Sequence, residues 1–266
     1  LCVGLLLLTF ASVAQSPLDI RVALVVGNAA YKNVPPLSNS VNDARAMSLV
    51  LGKLGFKVIN VIDGSRASMS QAIERMQSEI KGQQAVAMLY YAGHGLQLDW
   101  RNYMVPIDAS IDKADDVPKQ TVDIEKVIQA FKDAKTRMNI IVLDACRDNP
   151  FGRSSSGKGL AQLDAPPGTY LAYATAPGNV AEDGDELTGN GLFTHFLLKE
   201  LQRPARIEDV FKRVRLQVRQ KSQGRQIPWD SSSLEDDFAF NDGLKFKFSA
   251  EDYQREIQAA KNKEEQ

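Results

Sequence analysis

The sequence is poor in the residues that most often mark chemistry, with only two cysteines and two histidines among 266 residues. It also lacks an excess of charge of either sign, since 32 basic and 33 acidic side chains leave a formal net charge of -1. That balance gives no electrostatic footprint for nucleic acid, and no basic cluster indicates binding to a membrane surface. We find no repeat of fixed period. The few cysteines and histidines therefore stand out.

The N-terminus is the one long apolar run. It reads LCVGLLLLTFASVAQS and ends in the small-residue pattern Ala11-Ser12-Val13-Ala14. This pattern is typical of the apolar region and cleavage site of a signal peptide, and the run is short for a membrane span. We predict that residues 1–14 are part of a removed signal, with the protein exported to a periplasm or secreted and not inserted in a membrane. A buried strand or a retained anchor is the alternative.

Removal of this segment would take Cys2 with it and leave Cys146 as a single cysteine. An exported protein with one cysteine has no internal disulfide, so its thiol is a candidate reactive group. The alternative is an unreactive buried thiol, because a free cysteine also packs as a small hydrophobe.

Apolar strands alternate with amphipathic helices along the rest of the chain. RVALVVGN, FKVINVID, AVAMLYYA, IIVLDA and TYLAYAT read as strands, with helices between them, and DDFAF is a candidate last strand. This alternation predicts an α/β fold with a mostly parallel sheet and helices on both faces. We place one domain at residues 20–245 and a polar tail or linker at 246–266.

Two of the apolar strands run into the rare residues. His94 follows AVAMLYYA, and Cys146 follows the strand IIVLDA, each one to three residues beyond the predicted end. Sites in open parallel sheets form beyond the carboxyl ends of the strands, and neighbouring strands lie about 5 Å apart. If these strands are neighbours, Cys146 is a nucleophile and His94 its base. The backbone N–H groups of Gly95, which has no side chain to block a substrate, and of Cys146 are candidate oxyanion donors.

A nucleotide-binding doubly wound domain is the obvious competitor for this pattern. Its phosphate loop would have to follow the first strand, where the sequence reads VVGNAAYKN. That segment matches neither G-x-G-x-x-G nor the Walker pattern, so this reading is disfavoured.

The segments YYAGHG and LDACRDNPF, together with RVALVVGNAAYKNVPPLSNSVNDARAMSLVLGKLGFKV, resemble the caspase-like cysteine peptidases, and most closely the bacterial members grouped with metacaspases and paracaspases. The resemblance runs from about Val22 to Phe240. It implies a three-layer sandwich around a six-stranded sheet, and an endopeptidase that works through a thioacyl-enzyme. Because some relatives have lost the Cys–His pair, a silent peptide-binding or signalling scaffold is the alternative.

The resemblance also implies a substrate preference. It maps Asp144, where caspases carry Gln, and Asp43 onto the acidic floor of the S1 pocket. Two carboxylates would bind a guanidinium bidentately and would repel an aspartate, so the expected substrates are proteins or peptides with Arg or Lys at P1. A strand-end cap for Asp144 and a helix N-terminal charge for Asp43 are the alternatives.

Three further features come with the resemblance. YLAYATAP resembles the edge that pairs with an extended substrate, with Ala174 and Thr175 offering main-chain hydrogen bonds, although an ordinary strand is the alternative. Arg153 and Lys158 lie in a Gly- and Ser-rich loop after Cys146, where the enzyme could cut itself. Asp108, Asp112, Asp115 and Asp116 match a segment that binds calcium in some metacaspases. No metal ligand or required cofactor is assigned, and a solvated acidic loop is favoured over calcium activation.

Overall fold

The computed structural model describes residues 20–146, 160–161, 163–176 and 189–243, and for Cys146 it describes the backbone. The strands are β1 (Ile20–Gly27), β2 (Phe56–Ile62), β3 (Ala85–Leu98), β4 (Arg101–Met104), β5 (Val122–Asp123), β6 (Met138–Cys146), β7 (Thr169–Tyr173) and β8 (Trp229–Ser232). The helices are α1 (Ser40–Lys53), α2 (Arg66–Ile80), α3 (Val117–Gln120), α4 (Ile124–Ala134), α5 (Leu192–Leu201) and α6 (Ile207–Lys221).

Six of these strands form the central sheet in the order β2-β1-β3-β6-β7-β8. The first five are parallel to one another, and β8 runs antiparallel to β7. Strands β3 and β6 lie at the centre, which explains their near-continuous apolar sequence: a strand covered on both faces needs apolar side chains in both directions. The predicted mostly parallel six-stranded sheet is confirmed.

Helices cover both faces of the sheet and create two separate hydrophobic cores. One core joins alternate strand residues to α1, α5 and α6, with Met47, Phe193 and Val214 among its buried members. The other joins the opposite strand residues to α2 and α4, with Met76 and Phe131 among its members. The side chains of a strand alternate between faces, so one apolar strand supplies both cores. The predicted three-layer sandwich is confirmed.

The beginnings and ends of the helices follow local sequence signals. Ser65 caps α2 through its side chain, which accepts the Ser68 amide, and Asp123 caps α4 in the same way through the Glu125 amide. These caps satisfy backbone donors that the helix itself leaves open. After α1 the chain turns at Gly55, where φ is +84°. Glycine takes this left-handed conformation without strain, so the chain can leave α1 and enter β2 directly.

The predicted last strand, DDFAF at residues 236–240, is wrong. The last strand is β8, and residues 236–240 are irregular chain that packs on the core. Phe238 and Phe240 are both buried in the core, which gives the segment its strand-like alternation. Its carbonyls at Ala239 and Phe240 accept hydrogen bonds from the Arg21 guanidinium instead of a neighbouring strand.

Beyond the central sheet, the last residues of β3 join β4 and β5 in a small antiparallel sheet. Residues Gly95–Leu98 of β3 pair antiparallel with β4, and β4 pairs with β5. Tyr31, Leu96 and Tyr103 form the centre of a third hydrophobic cluster there. The strand prediction stopped at Ala92 and missed this extension. Among the described residues, no helix has the length and apolarity to cross a bilayer.

Candidate active site

His94 and Cys146 lie directly opposite each other in the sheet. In the parallel register between β3 and β6 their Cα positions are paired, which places the two backbones about 5 Å apart. Both residues lie within strands and not beyond them: Cys146 ends β6, and β3 continues past His94 because β4 pairs with it from Gly95 onward. The strands predicted to bring the two residues together are therefore neighbours.

The imidazole of His94 is 7% exposed and is held by the loop that follows β1. Its Nε2 lies 3.0 Å from the carbonyl oxygen of Pro35. A carbonyl only accepts hydrogen bonds, so a neutral His94 carries its proton on Nε2. Nδ1 is then the nitrogen that can take up a proton, and the tautomer is set by a main-chain group.

Two tyrosines hold the backbone of His94. The Tyr31 ring packs against the imidazole at a centroid distance of 4.6 Å, and its hydroxyl accepts the His94 amide at 2.7 Å. The Tyr91 hydroxyl donates to the His94 carbonyl at 2.5 Å. A Cβ at position 93 would lie 2.6 and 2.7 Å from the two hydroxyl oxygens, so only glycine fits there. Sequence reasoning missed both tyrosines, although both lie within segments that carry the family resemblance.

The loop that carries Tyr31 and Pro35 is anchored at its start. Asn28 is fully buried; its amide nitrogen donates to the Val105 carbonyl at 2.9 Å, and its oxygen accepts the Gly64 amide at 2.8 Å. Asp63 accepts the amides of Ala29 and Ala30, each at 2.8 Å. Further along, the Lys32 amide donates to Ile107 and the Leu37 amide to Ala29, so hydrogen bonds hold the loop on both sides of Pro35.

Gly95 is a glycine for a packing reason. A Cβ there would lie 2.9 Å from Leu160, closer than real Cβ atoms come, and 3.0 Å from Ala145, which is a very tight contact. The lack of a side chain at Gly95 was expected to leave room for a substrate, but Leu160 and Ala145 occupy that space. Its assignment as an oxyanion donor concerns the backbone N–H and stays a prediction.

The two predicted S1 aspartates converge on the N-terminus of α5. Asp43 is in the first turn of α1 and is 3% exposed, and Asp144 lies two residues before the end of β6. A Cβ at Gly191 would lie 3.1 Å from Oδ2 of Asp43 and 3.8 Å from Oδ2 of Asp144. Residues more than a hundred positions apart in sequence therefore meet at one point.

Each of these carboxylates is held by hydrogen bonds from the start of α5. Oδ1 of Asp43 accepts the side-chain amide of Asn190 at 2.8 Å and the main-chain amide of Gly191 at 3.0 Å. Oδ2 of Asp144 accepts the Thr194 hydroxyl at 2.5 Å. Anionic groups are also favoured near a helix N-terminus by the partial positive charge there. No sequence motif pointed to these residues of α5, and sequence reasoning missed all three.

Tyr90 completes this arrangement from β3. Its hydroxyl lies 2.5 Å from the Thr194 hydroxyl. Burial, and after it the negative charges of Asp144 and Asp43, raise the pKa of Tyr90 well above its ordinary value. The phenol therefore stays protonated at any working pH and acts as a donor.

The predicted substrate edge at Ala174 and Thr175 is engaged within the protein. The Ala174 amide donates to the Leu143 carbonyl at 3.0 Å, and its carbonyl accepts the Gln226 side chain at 2.8 Å. Thr175 is buried, and its hydroxyl finds no hydrogen-bond partner in the described part of the chain. A substrate strand at Ala174 would have to displace Leu143 as acceptor, so this role stays a prediction.

The acidic segment that prompted the calcium hypothesis uses two of its four aspartates to bind backbone amides. Asp108 accepts the Arg66 amide at the start of α2, at 3.0 Å. Asp116 accepts the amides of Asp112 and Lys113. Within the described ranges no group of three or more His, Cys, Asp or Glu side chains could hold a metal ion. Arg153 and Lys158, the predicted self-cleavage positions, lie outside the described residues.

Comparison with known proteins gives consistent results. A family model described as "Caspase domain" matches residues 20–239. Two curated relatives are similar over 249 residues at 28% identity: mucosa-associated lymphoid tissue lymphoma translocation protein 1 from Homo sapiens and its homolog from Mus musculus. The match covers 91% of this chain but 29% of each relative, so the chain spans less than a third of their length.

Proposed function

The chain belongs to the caspase-domain peptidase family, and from that premise we propose that it is a cysteine endopeptidase that cleaves after Arg or Lys. The observation that carries the proposal is the direct pairing of His94 and Cys146 on adjacent strands. The chain has two cysteines and two histidines, so one of each at the same register position of adjacent strands indicates a shared role. Two such rare residues at the same edge of the sheet support a nucleophile with its base.

The chemistry begins with a proton transfer. Nδ1 of His94 takes the proton of the Cys146 thiol, and the thiolate attacks the carbonyl carbon of the scissile peptide bond. The carbonyl electrons move to its oxygen, where the N–H groups of Gly95 and Cys146 are the proposed donors. The C–N bond then breaks as His94 returns the proton to the leaving amine.

The second half releases the acyl group. The acyl chain is now joined to Cys146 as a thioester, and Nδ1 of His94 takes a proton from water. The resulting hydroxide attacks the thioester carbon and expels the thiolate, which recovers its proton from His94. Pro35 keeps the imidazole in the required tautomer through both halves, because its carbonyl binds Nε2.

Substrate choice rests on the acidic pair. The Oδ2 atoms of Asp43 and Asp144 both lie within 4 Å of the position that a Cβ would take at Gly191, which concentrates negative charge beside the end of β6. A basic P1 side chain would neutralise this charge, and an acidic one would meet like charge at a cost of several kcal/mol. The proposed substrates are therefore proteins or peptides with Arg or Lys at P1.

The proposed location is outside the cytoplasm, in a periplasm or the medium. Its support is the apolar N-terminal run with small residues at the expected cleavage site. Fractionation of cells that produce the full chain tests this part alone, and retention of the uncut chain in the cytoplasm would contradict it.

The central test compares matched peptide-coumarins ending in Arg, Lys or Asp. They are incubated with the wild-type chain and with Cys146→Ala, in reducing buffer, with and without calcium. Turnover of the basic peptides that is lost in Cys146→Ala supports the proposal. Turnover after Asp would overturn the S1 assignment, and no turnover under any condition would leave a peptide-binding scaffold as the function.

A further inference from the structure

The side chain of Thr194 is fully buried, with 0% of its surface exposed, and its hydroxyl contacts side chains from two strands of the sheet. It lies in the first turn of α5, 2.5 Å from the Tyr90 hydroxyl of β3 and 2.5 Å from Oδ2 of Asp144 on β6. The peptidase reaction proposed above makes no use of it. Burying a hydroxyl costs free energy unless it is hydrogen-bonded, and both hydrogen bonds of this hydroxyl lead to the acidic pair or its surroundings.

The direction of these two hydrogen bonds is fixed by chemistry. A carboxylate only accepts, so the single Thr194 proton goes to Asp144. The Thr194 oxygen then accepts from Tyr90, whose phenol stays protonated because burial and the nearby carboxylates raise its pKa. Asp144 therefore receives the Thr194 proton, and the Tyr90 hydroxyl, which hydrogen-bonds with both Thr194 and Asp144, supports the same carboxylate.

Asp43 is fixed from the same helix by Asn190 and Gly191. The start of α5 thus holds both carboxylates, and the spacing between them is set by one rigid element. The distance between the two carboxylates matters more for binding arginine than for binding lysine. The guanidinium of arginine is planar and binds two oxygens only in a matched geometry, whereas the ammonium of lysine binds as a point charge.

We propose that Thr194 is a positioning residue that makes the acidic pair select arginine over lysine, by fixing the Asp144 carboxylate relative to Asp43. This inference rests on the proposed basic preference of the site and adds the choice between its two possible substrates. It assigns Thr194 no contact with the substrate or with the reacting atoms.

The test replaces Thr194 with valine, which has nearly the same shape but no hydroxyl, and with serine, which keeps the hydroxyl. We expect Thr194→Val to lower the ratio of kcat/KM for Arg over Lys peptide-coumarins about tenfold. Thr194→Ser should keep the wild-type ratio. The loss should appear mainly in KM for the Arg peptide, because the reacting groups are not touched.

Thr121→Val is the matched control. Thr121 is also buried and its hydroxyl also donates a hydrogen bond, at 2.6 Å to the Val117 carbonyl, but it lies away from the acidic pair. Its variant should lose stability and keep the Arg-to-Lys ratio. A purely structural Thr194 would behave like Thr121, so an unchanged ratio in Thr194→Val would overturn the proposal, as would an equal loss in Thr194→Ser.

A binding measurement separates the role of Thr194 from the peptidase activity proposed above. If the wild-type chain cleaves no peptide, calorimetry measures the binding of N-acetylarginine methylamide and N-acetyllysine methylamide to the wild type and to Thr194→Val. An arginine preference that is lost in the valine variant supports the role of Thr194 in a binding scaffold. Equal preference in both proteins, or no binding to the wild type, would overturn it.

Discussion

Nε2 of His94 lies 3.0 Å from the carbonyl oxygen of Pro35, a residue 59 positions earlier in the chain. The main chain of a loop after β1 therefore decides which nitrogen of a β3 histidine carries the proton. No side chain is needed for this, so the sequence around Pro35 gives no sign of it. The same loop supplies Tyr31, whose ring packs against the imidazole of His94.

We predict that neutral His94 is protonated at Nε2, because the Pro35 carbonyl only accepts. Nitrogen NMR of histidine-labelled protein measures this directly. The chain has two histidines, so the variant His195→Gln leaves one set of signals and assigns them to His94. A dominant tautomer with the proton on Nδ1 would contradict the hydrogen bond and the role proposed for Nδ1.

Gly191→Ala should impair the acidic pair without straining the backbone. The residue has φ -58° and ψ 151°, which alanine adopts readily, but the new methyl would lie 3.1 Å from Oδ2 of Asp43. We expect kcat/KM for the Arg peptide to fall about tenfold. Steady-state kinetics measures it, and unchanged activity would show that Asp43 can move without effect.

The control for that variant is Gly52→Ala in the last turn of α1. A Cβ at Gly52 would meet nothing within 4 Å. Replacing a helical glycine with alanine stabilises a protein by about 0.4–1 kcal/mol, and we expect unchanged kinetics. A loss of activity in both variants would mean that general changes of the fold, and not the acidic pair, explain the result.

Glu200 should make stability depend on pH in the acid range. The carboxylate is fully buried between α5 and α6. Burial by itself raises its pKa, but hydrogen bonds from Gln217, Arg203 and Arg213 and the charge of Arg203 outweigh this, so the pKa is lowered from the ordinary 4.5. Its stabilising contribution is therefore present above pH 4.5 and is lost as the pH falls through the lower folded value.

We expect Glu200→Gln to reduce the unfolding free energy by about 1–3 kcal/mol at neutral pH and to flatten its acid dependence. Denaturant unfolding at several pH values measures both effects. Glu79→Gln is the control: the hydrogen bond from Lys57 lowers the Glu79 pKa first of all, yet this pair lies at the surface, where solvent screens it. Equal effects of the two variants would contradict the special role of Glu200.

Arg21→Lys should weaken the packing of residues 236–240 on the core. The Arg21 guanidinium donates to the carbonyls of Leu54, Ala239 and Phe240 and lies 5.0 Å from the Phe238 ring centroid. A lysine ammonium cannot span these acceptors, so we expect a loss of about 1–3 kcal/mol in unfolding free energy. Arg75→Lys, at an exposed position of α2, should stay within about 0.5 kcal/mol of the wild type. Similar losses in both variants would remove the role assigned to Arg21.

The central sheet was open to prediction because its signals are local. Continuous apolar runs such as AVAMLYYA mark strands buried on both faces, and helical spacing such as Met69, Ile73, Met76 and Ile80 marks the layers that cover them. The failure at Phe238 and Phe240 has the same origin. Alternating buried residues imitate a strand wherever the chain packs on the core, and only the hydrogen-bond partners distinguish the two cases.

The sequence by itself determined the five parallel strands of the sheet, its covering helices and the family, because periodicity and the segments around His94 and Cys146 are written into neighbouring residues. The tertiary structure decided what holds the site. Pro35 meets His94 through a carbonyl that every residue possesses, and Thr194, Asn190 and Gly191 meet two aspartates from distant strands and helices. Contacts of this kind depend on where the layers bring the chain together, and no local pattern encodes them.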